Sequence, residues 1–124
     1  MKLIEYNDIK FYIGKNAKEN WELLDKAKNE NEKYIWFHLE KFSSPYVIMW
    51  SSLQDLEEIV KNNNKIEKSQ IHTSSFLNFG SQLCKENSKY KFLKDVKVMY
   101  TTVKKLSKTE KIGEVNVKGK YLTI

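Results

Sequence analysis

The stretch YIWFHLE, residues 34–40, decides the fold of this 124-residue chain. Ile, Phe and Leu alternate along it with Tyr, Trp and His, so both faces of the predicted strand are apolar or aromatic. A strand with two such faces needs cover on each side, which predicts a central strand of a sheet that is packed on both faces.

Turn residues and helix caps predict the elements on either side of this strand. The pair Asn7-Asp8 predicts a hairpin turn, and Asn16 with Glu19 predicts a helix cap. The predicted elements are strands 2–6 and 9–13, a helix from 17 to about 28, strands 34–40 and 46–50, helices 53–62 and 68–85, a strand 96–101, and a closing hairpin of strands 114–117 and 120–124.

The resulting order, ββαββααβββ, predicts an α+β domain with a mostly antiparallel sheet and about three helices. The length and the absence of a linker predict a single domain over residues 1–124. Segment 102–111 is predicted to be a basic loop. The first helix is predicted to place four residues against the core, namely Ala17, Trp21, Leu24 and Ala27.

Composition excludes several classes of protein. The single cysteine, Cys84, excludes an internal disulfide and is predicted to be a small buried side chain. No apolar run approaches the roughly 18 residues of a membrane span, and the four glycines form no phosphate loop. His38, His72 and Cys84 lie too far apart in sequence for a local metal-ligand pair. We therefore expect no metal and no cofactor, and a cytoplasmic or alternatively nuclear location.

Positive charge is concentrated in the second half of the chain. Residues 61–124 contain 14 lysines and 5 acidic residues, whereas residues 1–60 contain 8 lysines and 11 acidic residues. A basic half indicates an anionic partner, most commonly nucleic acid and next an acidic membrane surface, and the alternative is a solvated lysine-rich surface. All 22 basic residues are Lys, which favours recognition of backbone and shape over the reading of individual bases.

Four segments taken together resemble a known family. They are FYIGKNAKEN at 11–20, YIWFHL at 34–39, SSPYV at 43–47 and VKVMYT at 96–101. They are similar to the R (RNA-binding) domain of NFACT proteins, the ribosome-quality-control factors, and most of all to the coiled-coil domain-containing protein 25 branch. The resemblance implies a non-enzymatic RNA-binding module of translation that contacts tRNA, ribosomal RNA or the ribosome. Tyr46 stands where the family commonly has a second histidine.

Three groups of residues are candidates for nucleic-acid contact. The turn 14–16 precedes a helix N-terminus, where free amide groups favour an anion, although Asn16 is alternatively a simple cap. Aromatic residues of the 34–40 strand suit stacking on an unpaired base, and lysines of segment 85–111 suit a phosphate groove. With Ser43 and Ser44, which follow the strand, and Tyr100, which lies among the lysines, the candidate contact residues are Gly14, Lys15, Asn16, Trp36, His38, Ser43, Ser44, Lys97, Tyr100, Lys104, Lys105 and Lys108.

His38 is the one candidate for catalysis, although we expect no catalytic residue. A general base needs a nucleophile and an orienting partner, for which Ser43 or Ser44 and Glu40 are candidates. The alternative is a hydrogen-bonded structural histidine. The rival functions are therefore a ribonuclease that uses His38, and a DNA-binding or protein-interaction adaptor.

Overall fold

The computed structural model describes residues 1–67 and 72–124, with the backbone alone for Ile66 and Glu67. These residues confirm an α+β domain with three α-helices and an antiparallel main sheet. In chain order the elements are β1 (Lys2–Tyr6), β2 (Ile9–Ile13), α1 (Ala17–Glu30), β3 (Ile35–Leu39), β4 (Val47–Met49), α2 (Leu53–Glu67), α3 (Thr73–Glu86), β5 (Val98–Thr102), a 3₁₀ helix (Val103–Lys105), β6 (Leu106–Lys108), β7 (Val115–Val117) and β8 (Leu122–Thr123).

The main sheet has the strand order β1-β2-β4-β3-β5-β8, and each neighbouring pair is antiparallel. Strand β3 lies between β4 and β5, so the central position predicted from YIWFHLE is confirmed. The β1–β2 hairpin turns at Asn7 and Asp8, whose φ angles are 46° and 67°. Both residue types tolerate this left-handed conformation, as the sequence prediction requires.

Each face of the main sheet has its own hydrophobic core. Helices α2 and α3 cover one face, where Phe37 and Phe76 are fully buried. Helix α3 lies so close to β3 that a Cβ atom on Gly80 would be 2.5 Å from the Phe37 ring. Helix α1 and the small β6–β7 sheet cover the other face, around Trp36 and Leu106. The alternating side chains of β3 therefore fill two separate cores.

Helix α1 begins as predicted but buries a different stripe. Asn16 Oδ1 accepts a hydrogen bond from the Glu19 amide at 2.9 Å, which confirms the cap. The prediction for Ala17 is wrong, because this residue is exposed. Hydrophobic periodicity does not predict burial of a polar residue, yet Asn20 is only 7% exposed. The buried stripe is Asn20, Leu23, Leu24 and Ala27.

The C-terminal third differs most from the sequence prediction. The predicted closing hairpin is wrong, because β7 pairs with β6 and β8 pairs with β5. Segment 102–111 is not a loop, since it contains the 3₁₀ helix and β6. Leu106 is buried in the same core as α1, and this packing holds the small sheet against the helix. Helix α3 begins at Thr73, and residues 68–71 of its predicted range lie outside the described residues.

The remaining findings concern the length of the helices. Helix α2 runs to Glu67, five residues beyond its predicted end, and its Ser52 Oγ cap accepts a hydrogen bond from the Asp55 amide at 3.0 Å. Within the described ranges, no helix is long and apolar enough to cross a membrane.

Candidate nucleic-acid interface

A cleft of about 1220 Å³ lies between the start of α1, the 40–46 connection, the segment after α3 and residues 111–115. We call this space the cleft. Seven of the twelve predicted contact residues line it, and five do not. The seven are Gly14, Lys15, Asn16, Trp36, His38, Ser43 and Ser44.

Three aromatic rings form the floor of the cleft, and we call Trp36, His38 and Tyr46 the ring floor. Trp36 stacks on His38 with centroids 5.3 Å apart, and Tyr46 meets both rings edge-on at 5.5 and 5.8 Å. Trp36 is only 1% exposed, so its ring face is not available for the base stacking that the sequence predicted. The Tyr46 hydroxyl, whose pKa is raised by burial, donates to the Gly113 carbonyl at 2.6 Å.

His38 is held by one hydrogen bond. Its Nδ1 lies 2.7 Å from the Leu39 carbonyl oxygen, which can only accept. Nδ1 therefore carries the proton, and Nε2 presents a lone pair. Burial lowers the pKa of His38, while the bond to Leu39 opposes this shift. The imidazole is therefore neutral at pH 7.

Among the described residues, His38 is hydrogen-bonded neither to the predicted nucleophiles, Ser43 and Ser44, nor to the predicted orienting partner, Glu40. The Ser44 hydroxyl accepts from the Leu39 amide and donates to the Pro45 carbonyl, both at 3.1 Å. It also lies 3.4 Å from Cys84 Sγ, which is buried as predicted. Among the same residues, no group of three His, Cys, Asp or Glu side chains is arranged to hold a metal ion.

The turn at residues 14–16 supplies fewer free amide groups than the sequence suggests. Gly14 N donates to the Tyr46 carbonyl at 2.9 Å, and Lys15 N donates to Glu19 Oε1 at 3.0 Å. The Glu19 carboxylate therefore lies at the helix N-terminus and neutralises part of its dipole. Gly14 is needed here for space, because a Cβ atom would lie 1.9 Å from Asn20 Oδ1.

Lysine side chains give the edge of the cleft its positive charge. Five lysines line the cleft against two glutamates, Glu40 and Glu114. Among the described residues, none of the five is in an ion pair. The sequence prediction did not single out four of them, although Lys89 and Lys111 belong to the basic segment 85–111. The five lysines are Lys2, Lys15, Lys41, Lys89 and Lys111.

The five remaining predicted contact residues lie outside the cleft. Lys104 and Lys105 are in the 3₁₀ helix and Lys108 is in β6, so the prediction that these three lysines lie on a loop is wrong. Lys108 Nζ is instead 2.6 Å from Asp25 Oδ2. Lys97 is exposed between two buried valines, Val96 and Val98. Tyr100 is half-buried and packs on Phe37, 5.9 Å between centroids.

Comparison with known proteins identifies the family of the chain and solved structures with a similar fold. A family model described as the NFACT protein RNA binding domain matches residues 3–123. The C-terminal part of the fibronectin/fibrinogen-binding protein from Streptococcus suis (FBPS) is similar with a TM-score of 0.67 and 23% identity. The match covers 94% of this chain and 40% of that one, and at this identity it shows the fold alone. No curated protein matches the chain.

Proposed function

Because the chain belongs to the NFACT RNA-binding domain family, we propose that it binds structured RNA of the translation machinery, tRNA or ribosomal RNA, through the cleft. Family membership gives an RNA-binding module. The link to ribosome quality control, the contact with the ribosome and the relation to the coiled-coil domain-containing protein 25 branch are parts of the proposal. So is the use of lysines to hold the phosphate backbone.

The observation that carries this proposal is the set of lysines around the cleft without ion-pair partners in the described residues. Lys15, Lys41, Lys89 and Lys111 are all wholly or partly solvent-facing and line one space. An ammonium group without a carboxylate partner keeps its full attraction for phosphate, and each contact releases a counterion. Lys108 contrasts with them because Asp25 already neutralises it.

The expected strength follows from counterion release. The logarithm of the binding constant falls linearly with the logarithm of the salt concentration. Each phosphate that is neutralised contributes about 0.7 to 0.9 to the slope of this line. At 0.1 M salt, each contact is therefore worth a factor of about five to eight, and two contacts are worth about 25 to 60. Lys89 and Lys111 come from two different segments that line the cleft, and both are exposed, so they are the pair to change.

The experiment measures binding of labelled total tRNA by fluorescence anisotropy at several salt concentrations. The variant Lys89→Glu/Lys111→Glu should bind about 25- to 60-fold more weakly at 0.1 M salt, with a salt slope lower by about 1.4 to 1.8. The matched control is Lys61→Glu/Lys65→Glu, which makes the same change of charge on exposed residues of α2. Helix α2 lies on the other face of the sheet, so the control should stay close to wild type.

The same samples separate the rival functions. An equal loss in both double variants would indicate diffuse attraction by the whole surface, and no binding at low salt would refute the proposal. If the wild-type chain cuts RNA in the presence of EDTA and His38→Ala does not, the result would instead support the ribonuclease. Duplex DNA that competes as well as tRNA would support the DNA-binding alternative.

A further inference from the structure

The ring floor contains a hydrogen-bond donor without an acceptor. Trp36 is 1% exposed, and its indole Nε1 has no partner in residues 1–67 and 72–124. The other two indoles are satisfied, since Trp21 Nε1 donates to the Glu114 carbonyl at 3.2 Å and Trp50 Nε1 donates to Glu30 Oε2. Buried donors are almost always paired, so an unpaired one on a residue that lines the cleft indicates an acceptor that comes from outside the chain.

The ring that stacks on Trp36 carries a hydrogen-bond acceptor. The His38 ring is stacked on Trp36 with an angle of 16° between the ring planes. Because Nδ1 is bonded to the Leu39 carbonyl, Nε2 is an acceptor, and it has no hydrogen-bond partner among the described residues. The lowered pKa of His38 keeps this nitrogen unprotonated at neutral pH. The floor therefore offers one neutral donor and one neutral acceptor on adjacent parallel rings.

We propose that Trp36 and His38 bind the hydrogen-bonding edge of one unpaired nucleobase, which enters the cleft while its flanking phosphates stay on the lysines. This inference rests on the proposed function and deepens it. The Watson–Crick edge of every base has a donor next to an acceptor, so a single pair of neutral groups accepts any of the four. Proteins commonly bind RNA through such unstacked bases.

The distribution of charge favours a nucleotide over a simple anion. The floor has no charged group, whereas the exposed lysines Lys41, Lys89 and Lys111 lie at the edge. A nucleotide is divided in the same way, into a neutral base and a charged phosphate. The volume of about 1220 Å³ exceeds the roughly 300–1,000 Å³ typical of small-ligand sites, so it leaves room for a nucleotide. The buried indole N–H becomes reachable through the side-chain adjustments that are common on binding.

The test uses four RNA hairpins of equal stem length. One is fully paired, and three carry a single bulged position that is uridine, an abasic site or a difluorotoluene nucleotide. Difluorotoluene has the shape of thymine, the 5-methyl form of uracil, but lacks its hydrogen-bonding edge. The uridine hairpin should bind about tenfold more tightly than the abasic one, because one to two hydrogen bonds are gained at equal phosphate charge. The difluorotoluene hairpin should bind like the abasic one.

Two tryptophan variants connect the preference to the ring floor. Trp36→Phe removes the unpaired N–H, leaves the His38 acceptor in place, and should reduce the preference for uridine to that of a single hydrogen bond. Trp50→Phe removes a paired N–H outside the cleft and should keep the preference. If Trp36→Phe does not fold, the comparison of uridine with difluorotoluene on the wild-type chain decides.

The outcomes separate this inference from the proposed function. Equal, salt-sensitive binding of the uridine and abasic hairpins overturns the base site and leaves RNA binding in place. If the difluorotoluene hairpin binds as tightly as the uridine hairpin, the proposal that hydrogen bonds to the base edge give the preference is refuted. An equal reduction of the preference in Trp50→Phe and in Trp36→Phe overturns the assignment to Trp36. No binding of any hairpin overturns both proposals.

Discussion

The contact between Gly14 and Asn20 can be tested without any ligand. A Cβ atom at position 14 would lie 1.9 Å from Asn20 Oδ1 and 3.1 Å from Asn20 Cα. Asn20 is only 7% exposed, and its Oδ1 accepts a hydrogen bond from the Tyr46 amide at 3.2 Å. The substitution Gly14→Ala therefore displaces Asn20 Oδ1 from that hydrogen bond and also crowds the backbone of α1.

Each consequence of Gly14→Ala has an expected magnitude. An unsatisfied Tyr46 amide costs about 1–3 kcal/mol, and overpacking costs about 1–3 kcal/mol more. The reduced entropy of the unfolded chain returns roughly 0.4–1 kcal/mol. The free energy of unfolding should therefore fall by about 2–4 kcal/mol, a large share of the 5–15 kcal/mol, roughly, of a typical domain.

A second substitution should partly rescue the first. Asn20→Ala alone loses the hydrogen bond to Tyr46 and should cost about 1–2 kcal/mol after its gain in helix propensity. Each single variant loses the hydrogen bond from the Tyr46 amide, so the double variant Gly14→Ala/Asn20→Ala does not lose anything further there. It also lacks Asn20 Oδ1, the atom nearest to the added Cβ. The double variant should therefore be more stable than Gly14→Ala, by about 1–2 kcal/mol.

Denaturant unfolding followed by tryptophan fluorescence measures all of these variants. Gly119→Ala is the matched control, because Gly119 has φ 78° and no atom within 4 Å of an added Cβ. Its cost should come from backbone strain alone, about 1–2 kcal/mol, and should not change when Asn20→Ala is added. The reasoning is refuted if Gly14→Ala costs less than about 1 kcal/mol, or if the Gly14 and Asn20 substitutions are simply additive.

Two further predictions concern titratable groups. Burial raises the pKa of the Cys84 thiol to about 11, so at pH 8 the folded chain should react with a thiol reagent far more slowly than the guanidinium-unfolded chain. Equal rates would show that Cys84 is accessible. Burial lowers the pKa of His38 from its ordinary 6.5. The contribution of the neutral imidazole to the free energy of unfolding should therefore be fully present above pH 6.5 and should be lost as the pH falls through the lower pKa of the folded state. His38→Gln should remove this part of the pH dependence of Tm, and an unchanged profile would contradict it.

The features predicted correctly depend on interactions that are short in sequence. The cap at Asn16 needs only the Glu19 amide three residues later. The turn at Asn7 and Asp8 needs only two residues that tolerate a positive φ. The central place of β3 follows from two apolar faces within one strand. In each case the sequence that determines the structure lies within a few residues of it.

The pairing of the last strands could not be predicted in this way. Strands β6 and β7 have three residues each and β8 has two, which is too short for an alternating pattern. Gly119 does take the left-handed conformation that a hairpin turn uses, with φ 78°. The strands around it nevertheless pair elsewhere, because the burial of Leu106 against α1 and the pairing of Tyr100 with Leu122 are long-range.

The cleft was only partly predictable for the same reason. Seven of its residues belong to motifs that stand out in the sequence, yet the wall at residues 111–115 is joined to the floor by a hydrogen bond from Tyr46 to Gly113, 67 positions away. That bond carries no local signal. Asn20 was missed because hydrophobic periodicity does not register a buried polar side chain that satisfies a distant amide.

The lysines and the ring floor make separable contributions to any RNA binding. A chain with 22 lysines and no arginine attracts phosphate without distinguishing one sequence from another. Any preference for an unpaired base must therefore come from neutral groups, and Trp36 and His38 are the pair that the cleft offers. Salt weakens the lysine contacts but has little effect on hydrogen bonds between neutral groups. A preference for the bulged uridine that persists as salt rises would therefore belong to the ring floor, whereas one that disappears with salt would belong to the lysines.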